Sequence, residues 1–128
     1  MSRVYDFLQE CRTFFVATTN GNAPAVRPFG AVREFDGELY FTTANTKNVY
    51  VQLIENPHIQ IVAHKTGTRD WIRIDGKAVE VFDLGVKQKM LDACPGLVNK
   101  LKSNDCNFYA LFKIVEMKSV LHTNNGTV

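Results

Sequence analysis

The stretch from Ala25 to Pro57 constrains the fold more than any other part of the chain, because it predicts two strands, a tight turn and a helix in succession. Asp36-Gly37 predicts the turn, since glycine tolerates the positive φ that a two-residue hairpin connection requires. The β-branched and aromatic run Leu39–Thr43 predicts the second strand. Apolar residues at helical spacing follow and stop at Asn56-Pro57, so a short helix is expected there.

Two residues are unusual inside the first predicted strand of this stretch, Ala25–Phe35. They are Pro28, which removes a hydrogen-bond donor from the ladder, and Gly30, which removes a side chain. Such residues mark a sheet edge, a bulge or a place where another group approaches the backbone closely.

The start of the predicted helix carries an unexpected charge. Asn45 or Thr46 can cap it, but its first turn contains Lys47 and no acidic residue, although the helix dipole favours negative charge there. A lysine, hydroxyls and N–H groups at a helix start can together bind a phosphate. The alternative is that Lys47 is simply solvated, and if Lys47 is considered by itself this alternative is favoured. When Arg27 and the neighbouring strand with Pro28 and Gly30 are considered too, an anion site gains support.

Size and composition exclude several classes of protein. The 128 residues predict one domain, residues 1–128, and the hydrophobic and charged fractions of 45% and 22% are those of an ordinary globular protein. A net charge of +2 is too small to indicate a nucleic-acid or membrane partner. No apolar run approaches the length of a membrane span, and the first residues lack the pattern of a secretory signal, so a cytoplasmic location is expected.

Cysteines and histidines give no sign of a disulfide or a metal site. Cys11, Cys94 and Cys106 are odd in number and have no C-x-x-C spacing, which predicts reduced thiols. The three histidines are scattered without ligand spacing, so no metal site is expected.

The remaining sequence predicts a mainly β fold with flanking helices. The long strand Asp70–Phe82 contains Gly76, which predicts a bulge or sharp bend, and the tail Thr123–Val128 is expected to be disordered. About six strands arranged as hairpins predict a small closed or split antiparallel barrel. Further helices are predicted over Val4–Cys11, Val86–Ala93 and Leu97–Lys102, and further strands over Thr13–Thr19, His58–Lys65 and Phe108–His122.

Three segments, ATTNGNAPAVRPFG, LYFTTANTKNVYVQLIENPHIQIV and IRIDGKAVEV, occur in an order that resembles the FMN-binding split-barrel family, the pyridoxamine 5′-phosphate oxidase-like proteins. They lie within residues 13 to 82, and the chain looks most similar to the short members grouped with nitroimidazole-resistance-like proteins. The resemblance implies a six-stranded antiparallel split β-barrel, bound FMN, and a homodimer with shared flavin sites.

The resemblance also implies a cofactor site. The strand that begins at Arg27 would line the flavin, and the end of the next strand with the helix start would hold the ribityl-phosphate. Trp71 falls at a position that reaches the flavin, often from the dimer partner. The site residues carried over in this way are Arg27, Pro28, Phe29, Gly30, Phe41, Thr42, Thr46, Lys47, Asn48 and Trp71.

Two departures from the family pattern limit the functional prediction. Asn48 stands where oxidases of the family tend to have a second basic residue. The C-terminal arginine- and tryptophan-containing motif of the true pyridoxamine-phosphate oxidases is missing, so oxidation of vitamin B6 is not expected.

The leading hypothesis is an FMN flavoprotein that acts as an oxidoreductase on a small-molecule substrate, with catalytic residues unknown. A flavin- or haem-binding protein without turnover is one alternative. A small-barrel nucleic-acid binder is another, against which the small charge counts. The absence of G-x-G-x-x-G excludes a Rossmann-type nicotinamide site. Instead of contacting a flavin, Trp71 can lie in the core, and Tyr50 is expected in the core. Arg73 is either solvated or contacts a substrate or partner chain.

Overall fold

The computed structural model describes residues 2–44, 47–93, 109–123 and 126–127, which form a mainly β fold with three helices. The helices are α1 (Ser2–Cys11), α2 (Asn48–Glu55) and α3 (Leu84–Ala93). The strands are β1 (Phe14–Asn20), β2 (Ala23–Phe29), β3 (Val32–Phe35), β4 (Glu38–Ala44), β5 (His58–His64), β6 (Trp71–Val81), β7 (Tyr109–Thr123) and β8 (Gly126–Thr127).

The strands form one antiparallel sheet in the order β2-β1-β5-β6-β7-β4-β3, with β8 paired to the end of β7. Across the described residues this path does not close, because β2 and β3 stand at its two ends. The predicted antiparallel split-barrel class is confirmed, but the count of six strands is too low. The predicted disorder of the tail is also wrong at Gly126–Thr127, which pair with the end of β7.

Of the two extra strands, one is β8 and the other arises at Gly30-Ala31, where the single strand predicted over Ala25–Phe35 is interrupted. The first half, β2, pairs with β1, and the second half, β3, pairs with β4, so the halves lie at opposite ends of the sheet order. Pro28 therefore lies in an edge strand, where a missing N–H donor can face solvent. The break was not predicted, because the residues on both sides of it favour a strand.

The turn that joins β3 to β4 is confirmed. Asp36 and Gly37 have φ angles of 52° and 80°, both positive, as a type I′ turn requires. Such a turn matches the twist of the strands on either side, so these two residues set the hairpin register.

The bulge in β6 is confirmed too. The pairing of β6 with β7 shifts register between Asp75 and Lys77. A Cβ atom added to Gly76 would lie 2.8 Å from Cγ2 of Ile114 and 3.1 Å from the carbonyl oxygen of Val115. Glycine is therefore required for the close approach of the two strands at this bend.

The main core lies between one face of the sheet and helices α1 and α2. An aromatic group forms its centre. Phe41 is fully buried, stacks on Phe112 at 5.7 Å between ring centroids, and meets Phe29 edge-on at 5.5 Å. A smaller cluster, formed by Met90 of α3 with Tyr40 and Leu111, packs against the other face of β4 and β7. The face that contacts α1 and α2 is called the inner face below, and the opposite face the outer face.

Some expectations fall outside the described residues. These are the helical piece 97–102 and the state of Cys94 and Cys106, whereas Cys11 is buried as a free thiol. None of the three described helices is long and apolar enough to cross a membrane.

Candidate functional site

Arg27 of β2 is the centre of a polar cluster on the inner face. Its Nη1 donates hydrogen bonds to the carbonyl oxygen of Val16 at 3.1 Å and to Oγ1 of Thr18 at 2.8 Å. Its Nη2 donates to Oε1 of Gln52 at 2.7 Å. The guanidinium group thus connects β2 with the neighbouring strand β1 and with helix α2.

All three acceptors in this cluster are neutral. The described residues contain three ion pairs, and none of them includes Arg27. Partial burial lowers the pKa of Arg27, because desolvation disfavours its charged form. A guanidinium group has five N–H donors, of which the three contacts use three. The cluster therefore holds a half-buried positive charge that retains donors for an anion.

Two members of the cluster were not predicted from the sequence. Thr18 and Gln52 have only 4% and 8% of their surfaces exposed, and Oγ1 of Thr18 donates a hydrogen bond to Oε1 of Gln52. The sequence did contain a signal for Gln52, which occupies the buried stripe of α2 between Val49 and Leu53. A polar residue in an apolar stripe requires a buried partner, and Arg27 is that partner.

The start of α2 lies about one helical turn before Gln52 in the chain. Arg27 meets α2 at Gln52, the fifth residue of the helix. The N-cap is Lys47, with φ −88° and ψ 153°, and its exposed side chain makes no capping hydrogen bond. The expected caps Asn45 and Thr46 lie outside the described residues, and Lys47 precedes the first turn rather than standing in it.

The start of α2 has the electrostatic character of an anion site. Its first turn contains no acidic residue. The leading N–H groups of any helix have no intrahelical acceptor, and the helix dipole makes that end positive. Lys47 adds a cation at this end of the helix, and Arg27 adds a second one at Gln52, about one turn further along, so the donor set suits a phosphate.

The other predicted residues of β2 and β4 differ in what they could offer a ligand. A Cβ atom on Gly30 would have no neighbour within 4 Å, so the backbone there is accessible. Pro28 is exposed on the outer face, and Phe29 is partly buried. Phe41 is fully buried, so a ligand could meet only its main chain, while Thr42 is 9% exposed. Asn48 is exposed as the first residue of α2.

Trp71 lies at the start of β6 on the outer face. Its ring stacks on His122 at 4.2 Å and 12°, and the guanidinium carbon of Arg73 lies 5.2 Å from its centroid. Arg73 is in register with Val62, Phe15 and Pro28 across the sheet, so Trp71 shares a face with Pro28. Because side chains alternate along a strand, Arg27 points to the opposite face. Within one chain, the structure brings Arg27 close to α2 and leaves Trp71 on the other side of the sheet.

Tyr50 of α2 has a polar partner in addition to the expected core contacts. Its hydroxyl donates a hydrogen bond to Oε1 of Glu80 at 2.7 Å, and its ring meets Phe112 edge-on at 5.9 Å. The hydrogen bond to Glu80, with burial second, raises the pKa of Tyr50. The Glu80 carboxylate is therefore paired with the neutral hydroxyl of Tyr50.

Among the residues described, no group of three or more histidine, cysteine or acidic side chains could hold a metal ion.

Residues 2–98 match the sequence profile of a family described as pyridoxamine 5′-phosphate oxidase. The chain belongs to this family. The resemblance inferred from the three sequence segments is therefore confirmed.

Solved structures agree with this assignment. A NimC/NimA family protein from Clostridium acetobutylicum superimposes with a TM-score of 0.93 and 34% identity, covering 100% of this chain and 89% of that chain. A pyridoxamine 5′-phosphate oxidase-related, FMN-binding protein from Nostoc punctiforme gives 0.68 and 15%, with 98% and 85% covered. A FAD-binding protein from Mesorhizobium loti gives 0.58 and 19%, with 84% of each chain covered. The last two are too distant to show more than the fold. A comparison with curated proteins gave no significant match.

Proposed function

We propose that this family member is a flavoprotein that binds FMN, with the phosphate held by Arg27, Lys47 and the start of α2. One observation carries the proposal. Arg27 is a partly buried cation held by three neutral acceptors, with no ion pair among the described residues. A half-buried charge without a counter-ion is costly unless a ligand supplies one.

The donor set fits FMN better than riboflavin. FMN ends in a phosphate monoester, whereas riboflavin ends in a hydroxyl and gains little from cations. Charge-assisted hydrogen bonds from a guanidinium and an ammonium group, together with helix N–H groups, favour the doubly charged phosphate. Thr46 and Asn48 remain candidate contacts at this end of the helix, and the accessible backbone at Gly30 is a candidate for contact with the ribityl chain or ring.

Bound FMN would supply the redox chemistry, and the protein would bind and orient the cofactor. We assign the chain an oxidoreductase role toward a small-molecule substrate. The FMN-binding and FAD-binding proteins that share its fold support a flavin in this architecture.

The outer face supports a homodimer with flavin sites shared between two copies. A row of side chains crosses five strands there and consists of Pro28, Phe15, Val62, Arg73 and Val120. Arg73 is charged, and the other four side chains of the row are apolar. Phe15 is 45% exposed and Val120 is 36% exposed, and both belong to this row. Monomeric proteins rarely expose contiguous apolar patches, and aromatic residues and arginine are enriched at interfaces.

Flavin binding is the direct test. We expect the purified protein to bind FMN at least about tenfold more tightly than riboflavin, because one charge-assisted hydrogen bond contributes about 1.5–3 kcal/mol. Quenching of flavin fluorescence at fixed salt measures both affinities. Equal affinity for the two flavins would contradict the phosphate site.

An anaerobic titration then separates an enzyme from a carrier. Reduced nicotinamide should bleach the bound FMN, and an electron acceptor should restore its colour. A bound flavin that no donor reduces would favour the alternative of a flavin-binding protein without turnover.

A further inference from the structure

We infer that Gln52 and Thr18 are positioning residues, which hold the Arg27 guanidinium against α2 and leave its charge uncompensated. They thereby set the preference for a phosphate-bearing flavin over riboflavin. This inference rests on the proposed function.

The three side chains form a closed ring of hydrogen bonds. Arg27 donates to Thr18 at 2.8 Å, Thr18 donates to Gln52, and Arg27 donates to the same oxygen of Gln52 at 2.7 Å. The Thr18 hydroxyl thus accepts one bond and donates another, which fixes its rotor. Since Oε1 of Gln52 receives two donors, the amide cannot be flipped without placing its NH₂ group against them. The ring allows one arrangement of the guanidinium.

A packing role does not explain Gln52. The position lies in the buried stripe of α2, where Leu53 is 2% exposed and Val49 is 5% exposed. Leucine would fill such a position with equal helix propensity and without burying an amide. The polar group is therefore accounted for by its bond to Arg27, which lies 25 residues away in the chain.

The second property of the ring is that both side chains that hold Arg27 are neutral. A glutamate at position 52 has nearly the same shape and would accept the same bonds, but it would form an ion pair with Arg27. The pair would satisfy the guanidinium without a ligand and reduce its attraction for phosphate. A neutral amide positions the cation and leaves the charge for the ligand.

Gln52→Glu is the decisive variant, because it preserves the Oε1 acceptor and replaces the amide NH₂ group with a second carboxylate oxygen, which adds a negative charge at nearly the same shape. We expect its FMN affinity to fall by about tenfold or more, while riboflavin affinity changes by less than about twofold. Its melting temperature should be equal to or above that of the wild type. Gln88→Glu on the exposed face of α3 adds the same charge elsewhere and removes only an exposed hydrogen bond to Asp92, so it is the matched control for affinity, with both affinities expected to hold.

Thr18 is tested by a conservative pair. Thr18→Val keeps the shape and removes the hydroxyl, so FMN affinity should fall severalfold, whereas Thr18→Ser keeps the hydroxyl and should restore most of it. In an Arg27→Ala background, Thr18→Val should no longer reduce FMN affinity, because a positioning residue acts through the residue it holds.

The outcomes separate this inference from the function it rests on. A wild type that binds FMN and riboflavin equally overturns both. A wild type that prefers FMN, with Gln52→Glu keeping that preference, overturns the positioning role alone. Equal losses of FMN and riboflavin affinity in Gln52→Glu, or an undiminished effect of Thr18→Val in the Arg27→Ala background, would show a general structural role and also overturn it.

Discussion

Two arginines in this chain, Arg27 and Arg73, lie on opposite faces of the same sheet and have opposite surroundings. Arg27 faces inward and is held by hydrogen bonds from its guanidinium to three neutral oxygen atoms. Arg73 faces outward, lies 5.2 Å from the Trp71 ring centroid, and belongs to a row of apolar side chains. The hydrogen bonds of Arg27 fix the position of its charge. The guanidinium of Arg73 instead lies over an aromatic ring and forms part of the outer surface of the sheet.

The difference indicates two kinds of partner. A fixed cation beside a helix start suits a small anion, because charge and donors converge on one place. An arginine stacked on an aromatic ring within an apolar row suits a protein surface, since such a group loses little on desolvation. We therefore expect substitutions on the inner face to change flavin affinity and substitutions on the outer face to change assembly.

Lys47→Ala should give the largest effect on the inner face. Loss of a charged hydrogen bond to phosphate, worth about 1.5–3 kcal/mol, should weaken FMN binding roughly 10- to 150-fold. Riboflavin affinity should be almost unchanged. Fluorescence quenching at fixed salt measures both.

The stability of this variant is the control. Lys47 makes no side-chain cap, so alanine removes no hydrogen bond, and removal of a cation from the positive end of α2 should leave stability equal or slightly higher. Undiminished FMN affinity in Lys47→Ala would remove Lys47 from the site.

Trp71→Ala should give the largest effect on the outer face. Buried aromatic anchors of interfaces contribute about 2 kcal/mol or more, so the dimer dissociation constant should rise by roughly 30-fold. Sedimentation equilibrium at several micromolar concentrations measures this constant. The ratio of FMN to riboflavin affinity should stay constant, because the phosphate contacts lie on the other face. A wild-type protein that is monomeric while carrying stoichiometric FMN would refute the shared site.

Tyr50→Phe should give the smallest effect, and a pH-dependent one. The native state holds the Tyr50 proton more tightly than the unfolded chain, since its pKa is raised by the bond to Glu80. This contribution to stability is complete below the ordinary tyrosine pKa of about 10 and is lost as pH rises through the higher native value. Urea denaturation at neutral and alkaline pH should therefore show a smaller alkaline loss in the variant. An identical loss in both proteins would contradict the assignment.

Local features of the fold were predictable where single residues act on their own backbone. Asp36-Gly37 and Gly76 marked the turn and the bulge correctly, because glycine conformation and size decide both. The break at Gly30 was missed. A proline and a glycine in a strand-like run were recognised as unusual, but sequence spacing could not show that the two halves pair with different neighbours.

The sequence also indicated two cations of the candidate site, whose role in binding a cofactor stays a prediction. Arg27 and Lys47 were selected from charge and position at a strand and a helix start, and the structure places both of them at the start of α2 or against that helix. Gln52 was missed because its importance comes from a contact 25 residues away. The placement of Arg27 and Trp71 on opposite faces depends on the register of several strands, which the sequence does not show.

The sequence by itself determined the family, the alternation of the strands and the positions where the backbone must turn, because these depend on side chains and dihedral angles of neighbouring residues. Only the tertiary structure decided which strands became edges, which face each arginine occupies, and that a neutral glutamine rather than an acid meets Arg27. Those features depend on pairing between segments that are distant in the sequence. The free energy of such a pairing depends on both segments, so neither segment alone predicts it.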